Sequence, residues 1–221
     1  MEGTMPEYRL IHLDSWPRKD HFQYYRTKLK CGYCLTGRLD VTGLVNRAKK
    51  EDLHTYPCFL YVISRTVNGM DEMKMMVDSK GAPGVWEQVH PNYTIFHQDD
   101  KTFSDLWSCY HPEFEDFYRE YQQTLEQFGN QRGVKLRNDQ PPNFFCVSCV
   151  PWMDYTGYAS YSTGEPALFP IITFGKYTPE GDRITMPLTV NISHAAADGY
   201  HTCRFFELLQ HELDCFGRGE L

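Results

Sequence analysis

At 221 residues, with a formal net charge of -7, 41% hydrophobic and 23% charged residues, the chain has a globular rather than a disordered composition and is long enough to bury one core, expected as a single domain over 1–221. The acidic balance, with no Lys/Arg cluster beyond pairs such as Lys49-Lys50, excludes a broad nucleic-acid footprint and disfavours an anionic membrane surface. The longest apolar runs, "CFLYVI" and "FFCVSCV", fall far short of the ~20 residues of a bilayer span, and "MEGTMPEYRL" has no basic segment leading into an apolar one, so a soluble cytoplasmic protein is expected.

Along the chain, apolar spacing predicts a short helix over 18–29, then a strand over 33–42 leading into a helix at 43–51. Phe59, Ile63, Val67 and Met70 recur at helical spacing beside Leu60, so a buried helix is expected over 56–70, beginning near Pro57. Strands are expected at 74–81, 85–89 and 93–98, then an amphipathic helix over 112–128. A polar loop precedes four more candidate strands at 143–152, 157–162, 171–178 and 183–193, with "PEGD" as the turn between the last two. Phe206, Leu209, Leu213 and Phe216 mark a C-terminal helix with Gly217 as its C-cap. This order implies an α/β fold: a two-layer sandwich with a mixed β-sheet and helices packed on it.

Eight cysteines are scattered mostly within apolar runs, the pattern of reduced, buried thiols. "CGYC" at 31–34 and "CVSC" at 146–149 have the spacing of zinc ligands, but the pairs lie too far apart for the common zinc modules. Both also fall in strand-like sequence, where residues three apart point to opposite faces. No metal site and no dithiol redox centre are expected.

The stretch "NISHAAADGYH" at 191–201 joins a buried strand to the last helix. Asp198 can serve as a helix N-cap and His194 as a hydrogen-bonded histidine at a strand end. Neither role explains Ala195, Ala196 and Ala197, which suggest room kept beside the His194 ring for something else to approach.

The H-x-x-x-D-G spacing resembles the motif of CoA-dependent acyltransferases, and from about Trp16 to Gln210 the chain resembles the chloramphenicol acetyltransferase family. The likeness runs through "WPRKDHFQYYR", "CGYCLTGRLD", "YPCFLYVISRTVN", "TIFHQDDKTFSDL", "VSCVPW", "PIITFGKYTPEGDRITMPLTVNISHAAADGYH" and "RFFELLQ". It implies that family's α/β sandwich and transfer of acetyl from acetyl-CoA, a co-substrate and not a resident cofactor, to the primary hydroxyl of chloramphenicol. An alcohol is a poor nucleophile, so such transfer needs a base for its proton and a donor for the oxyanion. By resemblance His194 is the base, acting in a ternary complex without an acyl-enzyme. Ser148 is the oxyanion donor, and Thr173 supports the intermediate through water. Asp198 and Arg18 would form an internal ion pair shaping the site, and removing one partner is expected to cost several kcal/mol.

The resemblance offers Tyr56, Trp152, Lys176 and Tyr177 to coenzyme A, with His54 where some members carry a lysine near the ribose phosphate. It gives the acceptor Tyr25, Cys31, Tyr33, Phe103 and Tyr158, and implies a homotrimer with active sites between subunits. Ser193 stands where the family usually has a second histidine, Cys146 replaces a common asparagine, and Ser160 occupies a position that is often leucine. These departures keep two further readings open: acyl transfer to another small alcohol, and a homologue that binds CoA or drug without turnover.

Overall fold

The computed structural model describes residues 6–160 and 164–221. A seven-stranded mixed sheet forms one layer, in the spatial order β2 (Gly32–Asp40), β10 (Arg183–Ser193), β8 (Ile171–Gly175), β7 (Phe144–Val150), β5 (His90–Phe96) and β6 (Phe103–Trp107), with β9 (Thr178–Glu180) paired to the outer end of β10. The β5–β7 and β7–β8 pairs are parallel and the others antiparallel. Helices α2 (Thr42–Lys50), α3 (Thr55–Asn68) and α5 (Gly199–Arg218) cover one face, where Phe206 fills the space over Gly37 and Phe59 meets Phe174. The amphipathic α4 (Phe114–Phe128) packs on α3, and α1 (Lys19–Thr27) lies before β2. A small antiparallel sheet of β1 (Tyr8–Leu10), β4 (Pro83–Trp86) and β3 (Met75–Val77) stands apart. The expected two-layer mixed sandwich is the fold observed.

Burial explains the reading of each element. From Pro57 to Ser64, α3 is buried all round; Ser64 and Thr66 are tolerated there because their hydroxyls donate back to the Leu60 and Val62 carbonyls. Strand β10, between β2 and β8, is buried on both faces from Thr185 to Val190, so its sequence does not alternate. Pro187 fits inside it because the β8 ladder begins at Leu188 and the β9 ladder at Thr185, leaving no partner on that side for the missing N–H.

Three details differ from the sequence expectation. The left-handed C-cap of α5 is Gly219 (φ 75°), while Gly217 lies inside the helix, where a Cβ would come 2.6 Å from the Gly43 Cα of α2. The small residue at 217 thus permits a close helix crossing and ends nothing. No strand forms at 157–160, and Tyr161 and Ser162 of that candidate lie outside the described residues. Ser160 is held there by the Asn191 side chain (2.7 and 3.0 Å), and further on the Ala167 carbonyl accepts from Ser193 N–H (3.3 Å). Strands β1 and β6 were not anticipated: β1 is three exposed residues, and the short "FSDLW" gives its apolar alternation no length.

Candidate active site

At the end of β10 the chain doubles back on itself. The buried Ser193 builds that turn, its carbonyl accepting from the Ala196 (3.0 Å) and Ala197 (3.2 Å) N–H groups and its hydroxyl from Ala195 N–H (3.3 Å). Ala195, Ala196 and Ala197 are fully enclosed in the core. They make no room for substrate, contrary to the sequence expectation; they are small because a reversing chain leaves no volume there.

His194 sits on this turn, its N–H donating to the Cys31 carbonyl (3.0 Å). Its ring stacks flat on Tyr25, centroids 3.9 Å apart at 6°, and meets the Tyr33 ring at 5.2 Å and 61°. Tyr33 is fixed in turn by a 2.6 Å bond between its hydroxyl and Thr202. The His194 residue is half-buried, with Nδ1 enclosed and lacking a partner among the described residues, so solvent and substrate reach the ring from the Nε2 side. An imidazole clamped between aromatic rings with one nitrogen reachable has the form of a positioned base.

Arg18 holds the backbone behind the ring, donating to the carbonyls of Ala196 (2.6 Å), Ala195 (3.3 Å) and His194 (3.3 Å). Its Nε lies 3.6 Å from Asp198 Oδ2. Asp198 is also the N-cap of α5, accepting from Tyr200 N–H (3.1 Å). Burial pushes the Asp198 carboxyl up, but the charges of His201 and Arg18 and the hydrogen bonds to His201 outweigh it and leave the carboxyl below its ordinary value. The ion pair is looser and wetter than expected: the Asp198 side chain is 33% exposed, which reduces the cost of removing it.

A second group of residues surrounds a cavity of about 930 Å³ at the ends of β5, β7 and β8, beside the N-terminus of α3. Ser148, His54, Tyr56, Phe103, Trp152, Lys176 and Tyr177 all line it. The exposed indole of Trp152 is propped at 4.7 Å against the Phe96 ring, and Tyr56 donates to the Thr94 carbonyl (2.9 Å), burial pushing its hydroxyl well up. The N-terminus of α3 opens into this cavity beside Lys176, so helix dipole and ammonium add up to an attraction for anions. Burial also pushes the neighbouring Cys149 thiol up to about 12, keeping it protonated and unreactive near neutral pH.

Register sets Ser148 in a row of hydroxyls. Ser148 pairs with Thr173, Thr173 with Thr189 and Thr189 with Thr36, so all four share the helix-free face. The Thr36 and Thr189 hydroxyls bond at 2.7 Å, and Tyr155 crosses the row, donating to the Thr173 carbonyl (2.6 Å). Tyr158 rests near Tyr155 (5.9 Å), and Ser160 accepts from the Asn191 amide at its hydroxyl (2.7 Å) and carbonyl (3.0 Å). Cys146 lies 4.0 Å from the Asn92 amide and Cys149 lines the cavity, so this C-x-x-C pair does not converge. Among the described residues, no His/Cys/Asp/Glu group could hold a metal.

The two groups do not meet within the chain. From Thr189, His194 lies five residues along β10 and Ser148 two strands across. At ~3.3 Å per residue and ~4.8 Å per strand that is roughly 19 Å, too far for one reacting carbonyl to touch both. Tyr25, Cys31 and Tyr33 stand with His194; Phe103 stands with Ser148. Thr202, Tyr155 and Thr189 were missed as supports of the site, because only register and packing bring them there.

Comparison with known proteins bears on the fold and the family. A solved chloramphenicol acetyltransferase superposes with a TM-score of 0.86 at 20% identity, covering 94% of this chain and all of its own. The cubic core of the pyruvate dehydrogenase multienzyme complex superposes at 0.62 and 15% identity, covering 96% and 92%. Such likenesses show the fold, that of the acyltransferases. At the level of sequence, the family profile described as "Chloramphenicol acetyltransferase" matches residues 6–210. Chloramphenicol acetyltransferases of Vibrio anguillarum and Clostridium butyricum are 36% and 35% identical over 92% of this chain and 93% of theirs, and one of Streptomyces acrimycini is 36% identical over 95% and 96%. The chain belongs to the chloramphenicol acetyltransferase family.

Proposed function

We propose that the protein is a chloramphenicol O-acetyltransferase, a single cytoplasmic domain that inactivates the antibiotic by acetylating its primary hydroxyl from acetyl-CoA. The observation that carries this reading is the H-x-x-x-D-G turn: His194 is held from behind by Arg18 and from both sides by Tyr25 and Tyr33, in a chain matching the family over residues 6–210. His194 Nε2 takes the hydroxyl proton as the alcohol oxygen attacks the thioester carbonyl carbon. Ser148 donates to the oxyanion, with Thr173 beside it in the hydroxyl row. The tetrahedral species collapses with loss of the CoA thiolate, which receives the proton back from the imidazolium. Coenzyme A fits the cavity of Ser148, its phosphates near Lys176, His54 and the α3 N-terminus and its adenine against the Trp152 and Tyr177 rings.

The roughly 19 Å between His194 and Ser148 supports the trimer reading: each active site takes the base and its tyrosines from one copy and the hydroxyl and CoA cavity from the next. A second reading, another small alcohol as acceptor, is favoured by Ser160, whose hydroxyl is committed to Asn191 where the family often has leucine. The test is release of CoA thiol from acetyl-CoA, followed by a disulfide reagent against a no-drug control because all eight cysteines are free. Release with chloramphenicol supports the first reading. Release only with simpler alcohols selects the second, and none with any alcohol leaves a binding protein.

A further inference from the structure

The first turn of α5 carries a second histidine whose contacts reach the base. His201 Nδ1 lies 2.9 Å from Asp198 Oδ1 and its Nε2 lies 3.5 Å from Glu72 Oε1, on the 3-10 turn Asp71–Met73. The His201 side chain is only 16% exposed. Nδ1 faces both the Asp198 carboxylate at 2.9 Å and the Asp198 backbone N at 3.4 Å; the shorter contact, to a charged oxygen, is favourable when Nδ1 carries the proton and donates to Oδ1. The same Oδ1 accepts from Tyr200 N–H, which leaves Oδ2 facing Arg18 Nε at 3.6 Å. Arg18 then donates to the carbonyls of His194, Ala195 and Ala196. The residue after His201 is Thr202, which fixes the Tyr33 ring against His194.

We propose that His201 is a positioning residue for His194. It locks the Asp198 carboxylate from the side opposite Arg18, and Arg18 transmits that orientation to the peptide that aims the base. Glu72 is the outer anchor, keeping the imidazole from swinging away from Asp198. His201 also belongs to the cap of α5, its Nδ1 lying 3.4 Å from the Asp198 backbone N, but a capping box needs no carboxylate on the far side of the ring, where Glu72 stands. The physical logic is that of a metal-ligating histidine held by an outer partner: a group that must hit one geometry is fixed by the residue behind its support. The proposal rests on the reading of His194 as the base.

The test compares His201→Ala, which removes both contacts, with His201→Asn, whose side-chain N–H takes the place of Nδ1–H but cannot reach Glu72. With acetyl-CoA and chloramphenicol, His201→Ala is expected to lower kcat about tenfold with both KM values within about twofold, and His201→Asn to recover most of the loss. Unchanged kcat in His201→Ala, or equal losses in both variants, overturns the proposal. Imidazole 15N NMR of the labelled full chain is a readout independent of turnover: the His194 ring signals should move in His201→Ala and return in His201→Asn. If the wild-type protein turns over no alcohol, the functional reading fails while these signals still decide the positioning. Should His201→Ala not fold, Glu72→Gln is expected to move the same signals in the same direction by less, and no movement there refutes the role.

Discussion

If every active site is shared between copies, two inactive variants must repair one another. His194→Ala alone should lose about 10² to 10⁴ in turnover and Ser148→Ala about 10² to 10³, the usual ranges for a lost general base and a lost oxyanion donor. In mixed trimers assembled from equal amounts, a site works only when the copy giving the histidine is the Ser148 variant and the copy giving the hydroxyl is the His194 variant. With random assembly about a quarter of all sites meet both conditions, so the mixture should show about a quarter of wild-type activity. That signal stands at least tenfold above either parent alone. The arithmetic comes directly from the roughly 19 Å between the residues: a site drawn from one chain would receive at least one dead group in every copy. The assay is thiol release after co-refolding the purified variants, with each variant refolded alone as the control. Activity equal to the mean of the two parents would refute the shared site.

Other consequences are more local. Asp198 has its carboxyl depressed in the folded state, so its contribution to stability is present above the unfolded carboxylate value near ~4 and is lost as pH falls through the depressed one. Denaturant titrations should therefore show wild-type stability falling more steeply below about pH 4 than that of Asp198→Asn, with a difference near neutrality of about 1 kcal/mol rather than the ~3–5 kcal/mol of a fully buried pair. Gly217→Ala should cost about 1–3 kcal/mol in the same measurement, because its Cβ would meet the Gly43 backbone. Thiol labelling near neutral pH should modify the exposed Cys203 long before Cys149, whose thiol is pushed up to about 12, and mass mapping of the first adduct checks the order.

Much of the fold was legible because it rests on local periodicity. The helices at 19–27, 55–68, 114–128 and 199–218 carry their apolar stripes openly, and the long strands β2 and β10 announce themselves by length. Over 157–160 the expected strand does not form, because Ser160 is held by the Asn191 side chain at its hydroxyl and carbonyl and not by a backbone ladder. Gly217 was misplaced because a glycine near a helix end looks alike whether it reverses the backbone or admits a neighbouring helix.

What the sequence determined by itself is the family: the H-x-x-x-D-G turn and the blocks around it carry the resemblance from which the base, the oxyanion donor and the CoA residues are proposed, because such roles depend on residue type at fixed spacing. Only the tertiary structure decided where those residues go. It placed Ser148 and Thr173 side by side through strand register, turned the three alanines into core, loosened the Asp198–Arg18 pair, and set His194 and Ser148 roughly 19 Å apart. The physical reason is that register, burial and separation depend on which strands become neighbours, and that depends on contacts between residues far apart in the chain.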